Sequence, residues 1–413
     1  MSIFVRTRRL PLPLVVLLAL MALLPACADK TLPPPSQGVG VLAPTLPQPP
    51  QPAEPQNWFR PTIFYATSRN VLDAGSKTKS ARYGGTRSRE TSYGENRMSL
   101  SGTGAGAADR MDVKVGLEST SRMTRARFLS ELERAAARTP RREVLLFVHG
   151  FDNSFEDAAK TATRISHGVG FQGAALMYSW PSAASPTGYL TDRNNAYWAV
   201  HYLKQLLSDV LSDQWIDRVS VVVHSMGNEV FIRAYAELAD ECARAGRGDL
   251  KKLRNIVLAA PDVDREIFLD QHALKLMSQG ARIVLYASRS DMALAASALV
   301  QGGDYERLGK NVVCIPGLSV TDVSDVKTDL LGHSWIADSR SVLTDLRCVL
   351  TEGCDRYAGK ILQEYICPDS ARYFLAAPGS QDRATSGKSF WRLNVNDGAG
   401  GPTLGGYKLS LPW

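Results

Sequence analysis

Val219-Ser220-Val221-Val222-Val223-His224-Ser225-Met226-Gly227-Asn228 is the stretch that decides the fold. Its β-branched run, Val219 to Val223, is stiff at χ1 and suits a strand buried on both faces. Helical periodicity takes over at once and runs from Met226 to about Arg244, so only a tight turn fits between the two. A strand that feeds a helix through such a turn, with serine at its apex, is a nucleophile elbow, in which a strained backbone lifts the hydroxyl above the sheet. Side chains two positions either side of the serine crowd that turn. Gly227 satisfies the demand for a small residue; Val223 departs from it.

Outward from the elbow the pattern repeats. Apolar runs lie at Glu143–Val148, Ala174–Tyr178, Val219–Val223, Asn255–Ala259, Arg282–Tyr286 and Asn311–Ile315. Amphipathic stretches alternate with them, at about Arg122–Arg138, Phe155–His167, Asn194–Leu211, Met226–Arg244, Arg265–Gln279 and Asp291–Gln301. Uniformly apolar strands alternating with helices predict an α/β domain whose mostly parallel, doubly wound sheet is flanked by helices. A first strand is expected at Thr62–Thr67, and the domain is expected to span residues 58–346. Residues 347–413, with Gly/Ser-rich segments around Gly379–Gly387 and Gly398–Gly406, read as an irregular C-terminal extension.

A serine at neutral pH needs a base, and in this fold the acid and then the histidine follow the nucleophile in the chain. Only His272 and His333 lie beyond Ser225. His272 falls inside a predicted helix, whereas His333 sits in a loop after the last apolar run, which makes it the candidate base. Two aspartates leave strand ends on the proper edge: Asp291, favoured as the acid because it follows the second strand after the nucleophile strand, and Asp262, its rival. Asp291 could equally cap the helix that starts there. The oxyanion needs backbone N–H donors. Met226, directly after the serine, is one candidate. Phe151, in Val148-His149-Gly150-Phe151-Asp152, is the other, with Asp152 as the neighbour that could displace it. His149 reads as a brace for that loop. Trp180, in Ser179-Trp180-Pro181-Ser182, either lines the substrate mouth or packs against the adjacent loop, and Asp192 with Arg193 reads as a surface pair. Lid elements, if any, would come from Pro181–Asn195 and Leu299–Lys310.

The N-terminus predicts that this chain is exported from the cytoplasm. Arg6, Arg8 and Arg9 precede a short apolar stretch, Leu10 to Leu24, too short to span a bilayer and typical of a signal peptide. It ends Leu24-Pro25-Ala26-Cys27, resembling a lipobox whose cysteine is acylated after cleavage. Residues 1–26 are therefore expected to be removed. Cys27 would carry lipid, and the Pro-rich residues 27–57 would form a semi-rigid tether to the bacterial envelope. The formal charge of +7 falls to 45 basic against 41 acidic residues once the leader is gone. The remaining basic cluster between Lys77 and Arg97 reads as a solvated loop. No basic face with interleaved aromatics and no recognisable module points to nucleic acid. Of six cysteines, Cys348, Cys354 and Cys367 lie close enough to bridge among themselves in an oxidising compartment; Cys242 and Cys314 stand apart. Neither a C-x-x-C pair nor a neighbouring histidine suggests a metal there.

Several of these segments together resemble a family of bacterial α/β hydrolases of unknown function. The resemblance rests on Tyr65-Ala66-Thr67, Phe147-Val148-His149-Gly150-Phe151, Tyr178-Ser179-Trp180-Pro181-Ser182 and His224-Ser225-Met226-Gly227-Asn228. It continues through Ala260-Pro261-Asp262-Val263-Asp264, Tyr286-Ala287-Ser288, Asp291, Ala293-Leu294 and Gly332-His333-Ser334. It implies the α/β-hydrolase fold and a Ser225–Asp291–His333 triad. The expected activity is hydrolysis of a small-molecule or lipid-like carboxylic ester, or a thioester, without cofactor or metal. The alternative is a non-catalytic envelope lipoprotein that uses the fold as a binding or scaffold module.

Overall fold

The computed structural model describes residues 60–72, 82–101, 113–326, 333–351, 354, 356–357, 361–368 and 389–393. The leader, Cys27, the tether and both Gly/Ser-rich segments lie outside the described residues.

Eleven strands form one sheet: β1 (Thr62–Val71), β2 (Tyr83–Ser101), β3 (Lys114–Met123), β4 (Glu143–Val148), β5 (Ala174–Ser179), β6 (Arg218–His224), β7 (Leu253–Ala259), β8 (Arg282–Ala287), β9 (Leu318–Asp322), β10 (Leu362–Ile366) and β11 (Ser389–Leu393). Their order is β10-β11-β9-β8-β7-β6-β4-β5-β1-β2-β3. The centre, from β1 through β5, β4, β6, β7 and β8 to β9, is parallel. Antiparallel pairs close both ends. The longer helices are α1 (Arg125–Ala136), α2 (Phe155–Gly168), α3 (Tyr189–Ser212), α4 (Gly227–Ala245), α5 (Met292–Val300) and α6 (Arg340–Leu350).

Successive strand residues face opposite sides of the sheet, and the apolar runs thereby feed two cores. Val144, Leu146, Val221, Val223 and Leu258 meet Leu132 of α1, Leu203 of α3 and Phe231 of α4 on one side. Leu145, Phe147, Val222, Val257 and Val284 meet Ile165 of α2, Leu294 of α5 and Leu343 of α6 on the other. This is the predicted doubly wound α/β architecture.

Three expectations change and a fourth is sharpened. The run Asn311–Ile315 is not a strand; its Val313, Cys314 and Ile315 are buried in the core, and the strand is β9, after the turn at Gly317. Apolarity there reported burial, which a packed loop achieves as well as a strand. The basic cluster, where described, is no loop: β2 runs from Tyr83 past Arg97, paired with β1 and β3. Its outward-facing polar residues suit a flanking antiparallel strand with one face in water. The segment Arg265–Met277 is helical but interrupted by a π turn at Phe268–His272. The bridge expected among Cys348, Cys354 and Cys367 forms, but the third of these cysteines takes a partner from outside the group. Cys348 pairs with Cys354, whereas Cys367 pairs with Cys314, leaving Cys242 unpaired and buried.

The second bridge joins residues 53 apart in sequence, and closing a loop of that length stabilises by about 4 kcal/mol on the chain-entropy account. It ties the loop before β9 to the residue after β10. Together with β11, which pairs in parallel with β9, it makes part of the C-terminal extension integral to the sheet.

Candidate active site

Ser225 lies between β6 and α4 with φ of +52°, a left-handed conformation that costs a non-glycine residue roughly 1–2 kcal/mol. Hydrogen bonds hold it there. Its amide donates to Ala259 O at 2.9 Å. Its carbonyl accepts from the Asn228 amide (3.0 Å), the Asp262 amide (3.2 Å) and Asn228 Nδ2 (2.9 Å). Two glycines let the neighbouring loop close in. A Cβ on Gly227 would stand 2.3 Å from His149 O, and one on Gly150 would stand 2.6 Å from Ser225 Cβ. Val223, the departure from the small-residue pattern, is buried in the apolar core and leaves the turn intact.

His333 and Asp291 meet although 42 positions separate them in the sequence. His333 Nδ1 is 2.5 Å from Asp291 Oδ2, with side chains 14% and 0% exposed. The other carboxylate oxygen accepts from Leu294 N at 2.8 Å, so Asp291 caps α5 and faces the histidine at once. Lys310 Nζ donates to Asp291 O at 2.8 Å and steadies the turn. His224, the residue before the serine, donates from Nε2 to His333 O at 3.1 Å, and the two rings stand 4.8 Å apart. The histidine loop is thereby fastened to the elbow.

Asp262 has other company. Its Oδ1 accepts from Arg307 Nε (2.8 Å) and Ser297 Oγ (2.5 Å), and its Oδ2 from Tyr189 OH (2.8 Å). Gln301 Nε2 donates to the same Tyr189 oxygen at 2.6 Å. This buried cluster braces the start of α3 against α5 beside the elbow.

Met226 is buried, and neither its amide nor that of Phe151 donates to an acceptor among the described residues. The Asp152 amide, the rival donor, is directed at Asp192 Oδ2, 3.4 Å away. Phe151 packs edge-on against Tyr189, with centroids 5.5 Å apart.

One predicted surface pair resolves differently, and the readings of Trp180 and His272 become definite. Asp192 is buried, not a surface partner of Arg193; it accepts from Ser182 Oγ at 2.5 Å and Ala183 N at 2.6 Å. Arg193 instead sits over the Tyr197 ring. Trp180 is buried and stacks on His149, so packing is its role. His272 lies on the interrupted helical segment, half-buried, where desolvation lowers its pKa. Sequence reading passed over Arg69, Tyr189, Ser297 and Arg307. Arg69 could have been noticed two residues past Tyr65-Ala66-Thr67, as the one charged residue of β1.

Comparison with known proteins agrees with this architecture. Curated proteins yield no match. Residues 124–350 match the family described as "Alpha/beta hydrolase of unknown function (DUF900)". That match covers more than half of the sequence and includes the elbow, both aspartates and His333, so the chain belongs to this family of alpha/beta hydrolases of unknown function.

Proposed function

We propose that the protein is a serine hydrolase that cleaves carboxylic esters, or thioesters, through an acyl-enzyme on Ser225. The observation that carries this reading is the short His333–Asp291 contact, fastened through His224 to a strained Ser225. Ser225 Oγ attacks the acyl carbon and its proton passes to His333 Nε2, because Nδ1 faces Asp291. The tetrahedral oxyanion is held by the Met226 and Phe151 amides. As it collapses, the alcohol or thiol departs with the proton from His333. Water then adds to the acyl group by the same route, and the acid is released with Ser225 restored. The chemistry calls for no metal or organic cofactor.

A lipid-like acyl substrate is supported by the surroundings. Met292 and Leu299 are half exposed, one position after Asp291 and two turns on, along a face of α5 shared with Ala295 and Ala296. Leu190 and Tyr305 are also exposed, on the segments that join α5 through Tyr189 and that follow it. Exposed apolar side chains on the helix that starts at Asp291 suit an alkyl or acyl chain. We further place the enzyme at the bacterial envelope, anchored through lipid on Cys27 and facing the periplasm, on the strength of the leader and tether sequences.

Treatment of the full-length protein with a fluorophosphonate tests the reading. A single adduct on Ser225, absent from Ser225→Ala and from His333→Ala, is expected. Folded protein that takes no label and cleaves no p-nitrophenyl ester would return the chain to the scaffold alternative.

A further inference from the structure

His149 and Arg69 lie directly behind the loop that carries Phe151. Arg69 is 1% exposed, and a buried guanidinium is tolerated only when its N–H groups find acceptors. Its Nη1 donates to Gly84 O (3.1 Å) and Ser182 O (2.8 Å), its Nη2 to Asn153 O (2.6 Å) and its Nε to Ser179 Oγ (2.8 Å). Asn153 O and Ser182 O belong to the loops after β4 and β5, and Ser179 is the last residue of β5. Burial lowers the guanidinium to about 9, offset in part by Asp192 and Asp157, so it is a cation at neutral pH.

The hydrogen bonds then have a direction. Ser179 Oγ accepts from Arg69 Nε, which frees its own proton for His149 Nε2, 3.2 Å away. Arg69 Nη2 also faces Nε2, at 3.4 Å. On the far side of the ring, Nδ1 is 2.8 Å from Gly150 O. A carbonyl only accepts, so Nδ1 carries the hydrogen. Trp180 O also lies near Nε2, at 3.2 Å, but the Ser179 hydroxyl and the Arg69 guanidinium, both donors, face the same nitrogen. Complete burial and the adjacent Arg69 cation oppose an imidazolium, holding the His149 pKa well below its ordinary value. The ring itself is clamped. It stacks on Trp180 with planes 12° apart, and Trp180 Nε1 donates to His149 O at 2.8 Å.

Gly150 C=O and Phe151 N–H belong to one trans peptide plane and point in opposite directions. Holding the carbonyl on His149 therefore turns the Phe151 amide away from the imidazole, at a loop whose Gly150 abuts Ser225 Cβ. We propose that His149, kept in its Nδ1–H form by Arg69 and Ser179, is a positioning residue that aims the Phe151 amide as an oxyanion donor. This inference rests on Ser225 being an acyl-transfer nucleophile, and it assigns His149 and Arg69 a share in the rate rather than in substrate binding.

The test uses the full-length chain in detergent, p-nitrophenyl acetate, and selective 15N labelling of histidine. His149→Gln puts its amide where Nε2 was, whereas His149→Asn puts an N–H near the Nδ1 position. His149→Gln is expected to lower kcat about 10²–10³-fold with KM unchanged, and His149→Asn to stay within about 10-fold of wild type, the scale of one oxyanion donor. A purely structural role would move both variants together, along with their unfolding midpoints. The 15N spectrum should show His149 neutral with hydrogen on Nδ1 from pH 5.5 to 8. An Nε2–H or doubly protonated ring overturns the inference even if the wild type hydrolyses the ester, as does full kcat in His149→Gln. The expected tautomer in a protein that neither labels on Ser225 nor turns over sinks the reading of Ser225 instead, and with it the oxyanion role.

Discussion

Asp262 and Asp291 leave adjacent parallel strands at the same edge of the sheet, and both are buried. Asp262 gives its oxygens to Arg307, Tyr189 and Ser297. Asp291 gives one oxygen to a backbone amide of α5 and the other to His333. The first carboxylate is neutralised by a fixed cation and joins three chain segments. The second faces a group that can gain and lose a proton. Burial alone does not distinguish the two; the partner does. A carboxylate beside an arginine is committed to holding structure, and one beside a histidine can stabilise a charge that exists only in the transition state.

The sharpest way to break this comparison is to neutralise each carboxylate in turn. Asp291→Asn should lower kcat about 10⁴-fold, since the imidazole loses both tautomer control and charge stabilisation. Asparagine still caps a helix, so denaturant unfolding should shift by less than about 0.5 kcal/mol. Asp262→Asn should do the reverse. It leaves the Arg307 guanidinium buried opposite a neutral amide, costing about 3–5 kcal/mol in urea unfolding. Adding Arg307→Met should recover much of that loss. A stable, inactive Asp262→Asn protein would mean that the roles are exchanged.

Smaller changes sharpen it. Ser297→Ala removes one donor to Asp262 and should cost about 1 kcal/mol of stability, with the fluorophosphonate labelling rate unaltered. Asp152 is a third carboxylate at this edge, with neither an arginine nor a histidine as its partner among the described residues. Burial first, then Asp192 and Asp157, raise its pKa from 3.8 to about 6. The folded state therefore binds more protons than the unfolded one between those values, and stability falls as pH rises through that window. Asp152→Asn should flatten the decline and stabilise at pH 7.5 by on the order of 0.5–1 kcal/mol once solvent screening is allowed for. Thermal unfolding at pH 4 and pH 7.5 reads the difference. Equal responses at both values would place the shift elsewhere.

The two regions also differ in how far they could be read beforehand. Asp291 and His333 stood out because the order of serine, acid and histidine constrains which strand end supplies each group. Asp262 remained a rival because Arg307 lies 45 positions further on, and no local pattern links them. Asp192 was misplaced for the same reason: its partners Ser182 and Ala183 come from a preceding loop that folds back over it. The β2 strand was missed because polar residues with charges of both signs look the same in a loop and on a sheet's wet face. Cys314 looked isolated because its partner is brought near only when β9, β11 and β10 line up.

What the sequence determined by itself was everything carried by local repetition: the apolar strands, the alternating helices and the elbow at Ser225. Strand and helix periods are properties of neighbouring residues, and a strained turn needs its serine and glycine next to one another. Tertiary structure alone decided which aspartate meets the histidine, which cysteines pair, and that Arg69 lies behind His149. Apart from the local Cys348–Cys354 bridge, these depend on side chains dozens of residues apart, whose contact is set by sheet order and crossover packing, and a chain read in one dimension does not contain that distance.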